Sequence, residues 1–588
     1  MQLRTMGFWA FIALLLALCV LPVPEFWITQ LNFIGIASIA VMGLVLLTGV
    51  GGLTSFGQAA FVGIGAYTSA YLTVHAGLSP WLTLLVGLVL TGSCALVVGW
   101  VTLRMSGHYL PLATIAWGLS LYYTMGNLDA LGKYDGILNV TGLSLFGWDL
   151  GSGRAYLLLT WTVVLLGAFG LIRLLDSRVG RAIRSLKNGA QMAESMGIDT
   201  LRYKIGVFVL AALLASVSGW LYAHFQRSVT PSPFGVRVGI EYLFMAVLGG
   251  AGYVWGAITG VVITNLLADQ LQVLLPRLLG SSGSYETIVF GVLLVLVLQY
   301  APNGIWAFVD RKLPKPPRPI DWEGAQPLAQ NTKPAQGELV LQAVNIRREF
   351  GGLVAVNNIN FSIYSGQIVG LIGPNGAGKS TTFNLLTGVF GLTSGEVVFQ
   401  GKTISGLSSR AIAQRGIART FQHVKMIADM TVLENVALGA HLRGRQGAAA
   451  AMLRLDRTEE QRLLREAELQ LRRVGMGEHL HTLAGNLAMG PQRLMEIARA
   501  LCGDPTLLLL DEPAAGLRFL EKQALIGVLR QLQSEGISIL LVEHDMDLVM
   551  QVTDRIVVME FGTLLIEGTP AEIQASPAVR AAYLGTEH

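Results

Sequence analysis

The chain has 588 residues, of which 52% are hydrophobic and only 14% charged, and its formal net charge is +4. Its length exceeds that of one domain, and its composition excludes an ordinary soluble protein. So small a net charge gives no indication of a nucleic-acid partner, and we expect none. Residues 1–309 hold 24 of the chain's 80 charged residues, so the first half is the apolar half and a lipid bilayer is its expected environment.

Residues 1–309 contain several apolar stretches long enough to cross a hydrocarbon core of about 30 Å, which takes roughly 20 helical residues. We predict a polytopic α-helical membrane domain of about eight to ten helices. The first is expected to be an uncleaved helix, because residues 21–25 offer no signal-peptidase site. The candidate spans are Phe8–Val23, Leu31–Val50, Ala59–Leu72, Trp81–Leu103, Tyr109–Met125, Tyr156–Leu175, Gly206–Phe225, Tyr242–Leu267 and Ile288–Tyr300.

Basic residues give the expected orientation of these helices. Seven Lys and Arg residues against three acidic ones lie between Arg173 and Lys204, whereas Gly126–Arg154 holds three aspartates and two basic residues. Positively charged loops remain in the cytoplasm. The first of these loops is therefore predicted to be cytoplasmic and the second to lie outside.

Two glycine-rich stretches, 49–58 and 249–252, interrupt the apolar pattern. Broken helices of this kind expose backbone groups to a transported solute. Small residues also permit close packing of neighbouring helices. Both interpretations stay open at this point.

A change of character follows the apolar half: residues 310–338 contain six prolines and begin with a basic cluster. This composition predicts an extended cytoplasmic linker. At about 3.1 Å per residue in polyproline geometry, the linker would reach tens of ångströms. We therefore expect that the domain after it need not lie beneath the membrane domain of its own chain.

From residue 339 onward the pattern alternates strands and helices, as in an α/β P-loop domain. An apolar strand, 368–372, precedes a GxxxxGK[ST] motif. Its glycines let backbone N–H groups face phosphate oxygens, its lysine adds positive charge at the β and γ phosphates, and its serine offers a hydroxyl to Mg²⁺. The predicted ATP-binding residues here are Gly373, Pro374, Asn375, Gly376, Ala377, Gly378, Lys379, Ser380 and Thr381.

Two acids end a second apolar strand, 507–510. Asp511 is predicted to hold the magnesium shell, and Glu512 to polarise the attacking water. His544 follows a third apolar strand, and we expect it to contact the γ phosphate, although an isolated histidine is more often a satisfied core residue. ATP and Mg²⁺ are the expected cofactors.

These motifs, in this order, resemble the ATPase of ABC transporters over about residues 339–588. The resemblance implies that Gln422 senses the membrane domain and contacts magnesium, and that Phe350 stacks on adenine. It also assigns the signature motif, which closes over ATP held by a second ATPase. The implied signature residues are Leu487, Ala488, Met489, Gly490 and Pro491.

The signature departs from the usual LSGGQ, because Ala488 replaces its serine, Met489 its first glycine and Pro491 its glutamine. Arg518 stands where the D-loop usually has an aspartate. One hypothesis is a pair of functionally unequal ATP sites. The other is that a single hydroxyl contact worth about 0.5–1.5 kcal/mol is lost while the remaining contacts still bind phosphate.

The membrane half resembles the permeases of high-affinity branched-chain amino acid importers. The resemblance rests on Ser55–Tyr67, on Ile240–Gly250 and on the Arg181–Lys204 loop, and the ATPase half resembles the same system in Gly516-Leu517 and Ala582–Gly585. It implies a coupling loop that docks on an ATPase. The residues that carry this implied loop are Gly189, Ala190, Glu194 and Gly197.

The resemblances together imply a permease domain (1–309), a Pro-rich linker (310–338) and an ABC ATP-binding domain (339–588), fused in one subunit of a bacterial inner-membrane importer. The implied partners are a second permease, a second ATPase and a periplasmic substrate-binding protein. The implied solutes are branched-chain amino acids. Import of an amide, urea or aromatic acid, and an ABC half-exporter, remain alternatives, as does a membrane-anchored ATPase that transports nothing.

Overall fold

The computed structural model describes residues 13, 16–18, 20–104, 109–279, 286–312 and 321–584. The chain divides into two compact units, Met1–Asp176 with Leu201–Pro319 and Ser177–Thr200 with Ile320–His588. The short segment Ser177–Thr200, which the sequence places within the apolar half, therefore belongs to the same unit as the C-terminal domain.

Helices dominate the first unit. Five of those described are long and apolar enough to cross a membrane, namely Glu25–Val50, Pro80–Thr102, Gly153–Leu175, Thr200–Gln226 and Val254–Leu274. An α-helical membrane domain is thus confirmed. The described helices are Glu25–Leu44, Gln58–Val74, Pro80–Thr102, Tyr109–Asn127, Gly153–Leu175, Thr200–Gln226, Val236–Gly249, Val254–Leu279, Glu286–Tyr300 and Ile305–Lys312.

One predicted span is wrong, and another lies partly outside the described residues. Tyr242–Leu267 is two helices rather than one, because the chain turns between Val236–Gly249 and Val254–Leu279 at Gly250, where φ is +121°. Only glycine adopts such an angle readily, and hydropathy does not report it. Half of the residues of the predicted span Phe8–Val23 lie outside the described part of the chain.

The glycine-rich stretches interrupt helices and permit close backbone packing, while exposure of their backbone to a solute stays a prediction. The helix Glu25–Leu44 ends in a π-helical turn, Val45–Val50, and helical structure resumes only at Gln58. A Cβ atom on Gly49 would lie 1.5 Å from the carbonyl oxygen of Ala251, so glycine at this position permits close backbone packing. The helix breaks, and its glycines bring two backbones together.

The described loops of the first unit contain four short strands. β1 (Ile137–Leu138) pairs antiparallel with β4 (Ser228–Val229), and β2 (Ser144–Leu145) pairs antiparallel with β3 (Trp148–Asp149).

Two sheets form the frame of the second unit. Numbered along the chain, the strands are β5 (Leu339–Phe350), β6 (Leu353–Tyr364), β7 (Ile368–Ile372), β8 (Ser394–Phe399), β9 (Lys402–Thr403), β10 (Ile417–Arg419), β11 (Leu507–Asp511), β12 (Ser538–Val542), β13 (Arg555–Glu560) and β14 (Thr563–Gly568). The six-stranded sheet has the order β10–β11–β12–β7–β13–β14 and is parallel except for β14. The antiparallel sheet has the order β6–β5–β8–β9.

The six-stranded sheet is buried on both faces. Leu508 and Leu510 of β11 belong to one hydrophobic core, and Leu507 and Leu509 belong to the other. This alternation is the two-residue period of a strand, and burial on both sides explains the continuous apolar runs in the sequence. The α-helices of this unit are Arg178–Ser185, Ala190–Ser195, Lys379–Leu386, Ser409–Ala413, Val432–Ala437, Ala448–Leu453, Arg457–Arg473, Met489–Leu501, Phe519–Ser534, Met546–Val552, Pro570–Ala575 and Pro577–Leu584.

The predicted linker is not a free spacer over its whole length. Residues 313–320 lie outside the described part of the chain, but from Asp321 onward the segment packs on the second unit. Trp322 is 8% exposed, and its indole N–H donates to Glu468 at 3.0 Å. The expectation that all of residues 310–338 act as a spacer is therefore wrong for the second part.

Candidate functional site

Three neighbouring parallel strands bring the predicted nucleotide residues to one edge of the sheet. The register pairs Asp511 at the end of β11 with Val542 at the end of β12, and Val542 with Leu371 of β7. β7 leads into the GxxxxGK[ST] loop, and His544 follows β12 closely. Because the carboxyl ends of parallel strands meet at one edge, the three segments lie together there.

The loop after β7 requires glycine at its two ends. Gly373 has φ +151°, and a Cβ atom there would lie 2.1 Å from the carbonyl oxygen of Met559. Gly378 has φ +94°, and a Cβ atom would lie 2.5 Å from the carbonyl oxygen of Ala355. The loop leads directly into the helix Lys379–Leu386, of which Gly378 is the N-cap. Glycine-rich backbone at a helix N-terminus is an anion-binding arrangement.

The Lys379 ammonium is held inside this loop. Its Nζ donates to the carbonyl oxygens of Gly373 at 2.7 Å and Pro374 at 3.0 Å. Burial lowers the pKa of Lys379, while Glu512 and Asp511 act in the opposite direction. The positive charge therefore faces the two acids that follow β11.

Asp511 fits a divalent cation. The side chain is buried, and its Oδ1 has no hydrogen-bond partner within the described part of the chain. Burial raises the pKa of Asp511 to about 6, Arg419 opposes this rise, and Glu512 adds to it. A buried carboxylate oxygen without a protein donor is a suitable ligand for magnesium or its water shell. The exposed Ser380 at the start of the P-loop helix offers a second oxygen.

Glu512 lies at the centre of the predicted catalytic residues. Its φ is +48°, a left-handed value that costs a residue with a side chain some free energy and often marks a functional site. The Gln422 amide donates to Glu512 Oε2 at 3.2 Å, and His544 Nδ1 lies 3.9 Å from the same oxygen. The His544 side chain is 61% exposed, so it is not a satisfied core histidine.

Sequence reasoning missed Glu543, which is fully buried beside His544. One carboxylate oxygen accepts the Ala514 N–H at 2.8 Å, and the other accepts the His544 N–H at 3.0 Å. Glu543 thus ties the loop after Glu512 to the loop after β12. An acid directly after an apolar strand was the available signal.

Sequence reasoning also missed Arg419, at the end of β10. Its guanidinium lies 4.7 Å from the rings of both Phe383 and Phe421, and it donates to Asn384 Oδ1 at 3.0 Å and Thr387 Oγ1 at 2.7 Å. Burial lowers its pKa to about 10, and Asp511 opposes that shift. Arg419 joins the P-loop helix to the segment that carries Gln422.

Side chains of the helix Met489–Leu501 bind the backbone of the segment around Gln422. Arg493 donates to the carbonyl oxygens of Phe421 at 2.9 Å and Gln422 at 2.6 Å. One turn later, Glu496 Oε1 accepts the Lys425 N–H at 3.1 Å. Buried charges at i and i+3 are unexpected on an amphipathic helix, and they were a signal that the sequence offered.

Phe350 lies at the end of β5, where it pairs with Leu353 of β6. Its ring is edge-to-face with Phe390 at 5.3 Å, and the guanidinium of Arg348 lies 4.4 Å from it. β6 also carries Ala355, whose carbonyl oxygen closes on Gly378. Phe350 and the P-loop are thus connected through one hairpin, and stacking on adenine stays a prediction.

The signature residues begin the helix Met489–Leu501. Leu487 is buried, Ala488 is the N-cap without a side-chain hydrogen bond, and Pro491 lies in the first turn. Met489 is 57% exposed, and its sulfur would contact a Cβ atom placed on Gly516.

The D-loop position packs against the same helix start. A Cβ atom on Gly490 would lie 2.5 Å from Glu521 Oε1, and Arg518 N–H donates to Glu521 Oε2 at 2.8 Å. Glu521 therefore connects the signature to the position where the D-loop usually has its aspartate. Contact of these residues with a second ATPase stays a prediction.

The predicted coupling-loop residues belong to the second unit together with the C-terminal domain, and of the four, Gly197 has a described contact to that domain. Gly189, with φ +119°, precedes the helix Ala190–Ser195, and Glu194 Oε1 accepts the Thr200 hydroxyl at 2.9 Å. Gly197 has φ +81°, and a Cβ atom there would lie 2.2 Å from the Leu442 side chain. The close contact explains why the position requires glycine.

Charged contacts that the sequence did not predict flank this loop. Arg181 forms a two-point ion pair with Glu460, in which Nη2 donates to Oε2 at 3.0 Å, and the two side chains are 1% and 3% exposed. Arg410 donates to Asp199 Oδ2 at 2.8 Å. Arg178 donates to the carbonyl oxygen of His441 at 2.9 Å.

His441 lies beneath these arginines and is buried. Burial and, to a smaller degree, the charges of Arg178, Arg181 and Arg410 together lower the pKa of His441 to about 3. His441 is therefore neutral near pH 7, which leaves the arginines free of an additional positive neighbour.

Comparison with known proteins assigns both parts of the chain. Residues 26–298 match the family model of the branched-chain amino acid transport system permease component. Residues 356–515 match the ABC transporter model, and residues 564–588 match that of the branched-chain amino acid ATP-binding cassette transporter.

The similar proteins are ATP-binding subunits. "High-affinity branched-chain amino acid transport ATP-binding protein LivG" of Escherichia coli (strain K12) is 43% identical over 249 residues, which are 42% of this chain and 98% of LivG. This chain belongs to the branched-chain amino acid ABC transporter family. BraF of Pseudomonas aeruginosa is 41% identical over the same shares. A crystal structure of a nucleotide-free ATP-binding cassette is 30% identical, with a TM-score of 0.39, and covers 42% of this chain and 100% of that one.

Family membership gives the arrangement above its chemistry. The chain is a membrane protein with a cytoplasmic ATPase that binds and hydrolyses ATP to power transport, and it works with other transporter components. The P-loop, Asp511, Glu512, Gln422 and His544 together are the predicted nucleotide site of this ATPase.

Proposed function

We propose that this chain is the fused permease and ATPase subunit of a binding-protein-dependent ABC importer that takes up branched-chain amino acids across the bacterial inner membrane. The observation that carries the proposal is the union, in one chain, of a match to the permease component with a domain 43% identical to LivG. Branched-chain amino acids are the solutes for which these relatives are named, and we propose the same solutes for this chain.

The proposed complex contains three further components: a second permease, a second ATPase and a periplasmic substrate-binding protein. A second ATPase is required because the signature of an ABC ATPase closes over nucleotide on its partner. Exposure of Met489, in the signature, supports such a contact. A binding protein would deliver the solute to the face opposite the cytoplasmic ATPase.

We propose that Glu512 orients and polarises the water that attacks the γ-phosphorus of ATP. Gln422 and His544 both lie close to Glu512 Oε2, which fixes the direction of the carboxylate. Lys379 and the loop backbone would bind the phosphate oxygens, so that the bond to the β,γ-bridging oxygen breaks as the bond to water forms. Positioning and charge stabilisation supply most of the catalysis in such a reaction.

The residues that would hold Mg²⁺ are Asp511, Ser380 and Gln422. The buried Oδ1 of Asp511 without a protein donor is the observation that favours this assignment. Magnesium held there would supply positive charge that offsets the negative charge of the phosphates. Asp511 must be ionised for this role, although burial favours its neutral form.

The test is the ATPase activity of the purified complex in lipid, with its co-purifying subunits identified, with and without a binding protein loaded with leucine. Stimulation by the leucine-loaded protein, and not by the empty one, is the expected result. Stimulation only by a protein loaded with an amide, urea or an aromatic acid would keep the importer and replace the solute. An active homodimer that ignores every binding protein would contradict import and favour export.

A further inference from the structure

We propose that two segments, residues 321–334 (here called the strap) and residues 177–200 (here called the coupling loop), contact the same two elements of the ATPase domain. These shared contacts keep the coupling loop docked on the ATPase of its own chain. The proposal rests on the importer function above, in which two ATPases and two permeases are present. It adds which ATPase each loop drives.

The strap begins with a buried aromatic anchor. The Trp322 indole N–H donates to Glu468 Oε2 at 3.0 Å, and the ring packs 5.9 Å from that of His481. The Gln461 amide donates to the carbonyl oxygen of Asp321 at 2.7 Å. Burying a tryptophan removes a large apolar area from water and so stabilises the bound position of the strap.

The strap ends on a second anchor. Lys333 Nζ donates to Asp504 Oδ1 at 2.7 Å and to the carbonyl oxygen of Pro505 at 2.8 Å. Asn331 donates to the same Asp504 through its N–H and its side-chain amide. Since both ends are fixed, the segment between them is part of the ATPase surface rather than a tether.

Strap and coupling loop meet on the helix Arg457–Arg473. Its first turn receives the coupling loop, through the buried pair of Arg181 with Glu460. Its middle receives the strap, through Glu468. Each contact pairs a charged or hydrogen-bonding group of this helix that would otherwise be exposed to water.

They meet again on the 3₁₀ helix Leu438–Arg443. The coupling loop contacts it at His441 and Leu442, as described above. The strap contacts it through Arg443, which donates to the carbonyl oxygen of Ala329 at 2.7 Å. Arg443 also lies 3.3 Å from Glu466 on the longer helix, so the two elements are themselves linked.

Arg181 makes the docking selective. A buried ion pair contributes little net stability, but a buried charge left without its partner is strongly destabilising. An ATPase without an acid at the position of Glu460 would leave the guanidinium buried and unpaired. The loop therefore discriminates against such an ATPase, and the strap ensures that a matching one is present on the same chain.

The strap also shortens the stretch of chain between the last described helix of the first unit and the ATPase domain. Lys312 ends the last helix of the first unit, and Asp321 begins the strap only nine positions later. A fully extended chain advances at most about 3.3–3.6 Å per residue, so this stretch spans no more than about 30 Å. The whole predicted linker would reach about three times as far, so the strap strongly favours docking within one chain.

Cross-linking tests the assignment without any transported solute. Asp199→Cys is combined with Arg410→Cys in the fused chain, the complete complex is treated with a short bismaleimide, and the linked peptides are identified by mass spectrometry. We expect a 199–410 link within the fused chain. Arg530→Cys with Asp554→Cys, another arginine–aspartate pair, is the matched control for reactivity and folding.

Two results would overturn the assignment. One is a link from position 199 to the second ATPase. The other is no link from position 199 to position 410 when the control pair links normally.

The strap is tested in the same background with Trp322→Ala and Lys333→Ala. We expect the 199–410 link to fall several-fold while the control pair still links. Trp148→Ala with Lys402→Ala, which removes an exposed tryptophan and an exposed lysine, should change nothing. An unchanged 199–410 link in the Trp322 variant would refute the role of the strap. Because the 199–410 link requires neither a solute nor a loaded binding protein, failure of the importer proposal leaves these results interpretable.

Discussion

The nucleotide site and the coupling-loop contact are built in opposite ways. The nucleotide residues come from short motifs that follow three adjacent strands, so each motif already specifies its local geometry. The coupling-loop contact instead joins Arg181 to Glu460, 279 positions apart, and no sequence motif pairs these two residues. The residues of a nucleotide site can be predicted from short sequence motifs. The residues of the coupling-loop contact can be found only from the tertiary structure.

The largest expected effect is the loss of turnover in Glu512→Gln. The amide keeps the size and the contact with Gln422 but cannot polarise water as a carboxylate does, and we expect hydrolysis to fall by about 10²–10⁴-fold. ATP binding should persist, because the P-loop is unchanged. The measurement is ATPase rate beside nucleotide affinity in the assembled complex. Normal uptake in this variant would remove Glu512 from the catalytic role.

Arg181→Ala tests the opposite side of the comparison. It leaves the Glu460 carboxylate buried without its main partner, at a cost of about 3–5 kcal/mol, so the ATPase should lose stimulation by a loaded binding protein and unfold at a lower temperature. Replacing both residues with Met should recover most of the stability, because no unpaired charge remains. The pair of Arg530 with Asp554 is more exposed, at 44% and 35%, and Arg530→Ala should cost well under 1 kcal/mol. Equal losses in the two single variants would contradict the importance of burial.

Asp511 should give the nucleotide site a pH dependence of its own. Its folded-state pKa is about 6, above the unfolded value of about 3.9, so the folded protein binds the additional proton between these values. The stability contribution of Asp511 is therefore largest below pH 4 and is lost as the pH rises through 6. Magnesium requires the ionised form, so the Mg²⁺ concentration for half-maximal hydrolysis should rise up to about tenfold per pH unit below pH 6.

The control for this prediction is Asp511→Asn, which has no carboxyl group to titrate. Its free energy of unfolding should lack the component that wild type loses between about pH 4 and 6. A wild-type Mg²⁺ requirement that stays constant from pH 7 to pH 5 would show that Asp511 is not the metal ligand.

The sequence predicted those parts of the molecule in which local pattern and tertiary structure agree. The apolar runs that became β7, β11 and β12, and the helix break before Gln58, are of this kind. The split of the Tyr242–Leu267 span was missed, because a left-handed turn at Gly250 leaves no mark in hydropathy.

Buried charges were missed for a related reason. Arg419 and Glu543 resemble surface residues until their partners are known, and a buried charge is stable only through those partners. Proline content suggested an extended linker, but Trp322 was the signal that part of it would be buried, since an exposed tryptophan in a spacer is unusual.

The smallest expected effect concerns the signature, where Ala488→Ser would restore the hydroxyl that this chain lacks. Ala488 caps the helix Met489–Leu501 without a side-chain hydrogen bond, so the new hydroxyl should strengthen the cap and add one contact to nucleotide on the second ATPase. A gain of about 0.5–1.5 kcal/mol corresponds to roughly two- to tenfold tighter binding at that site. Single-site ATPase rates in the assembled complex separate the two hypotheses, because unequal sites should become more equal in the variant. Equal rates in the wild-type complex would end the asymmetry hypothesis, since Gly490 and the helix N-terminus would then be sufficient to complete the site.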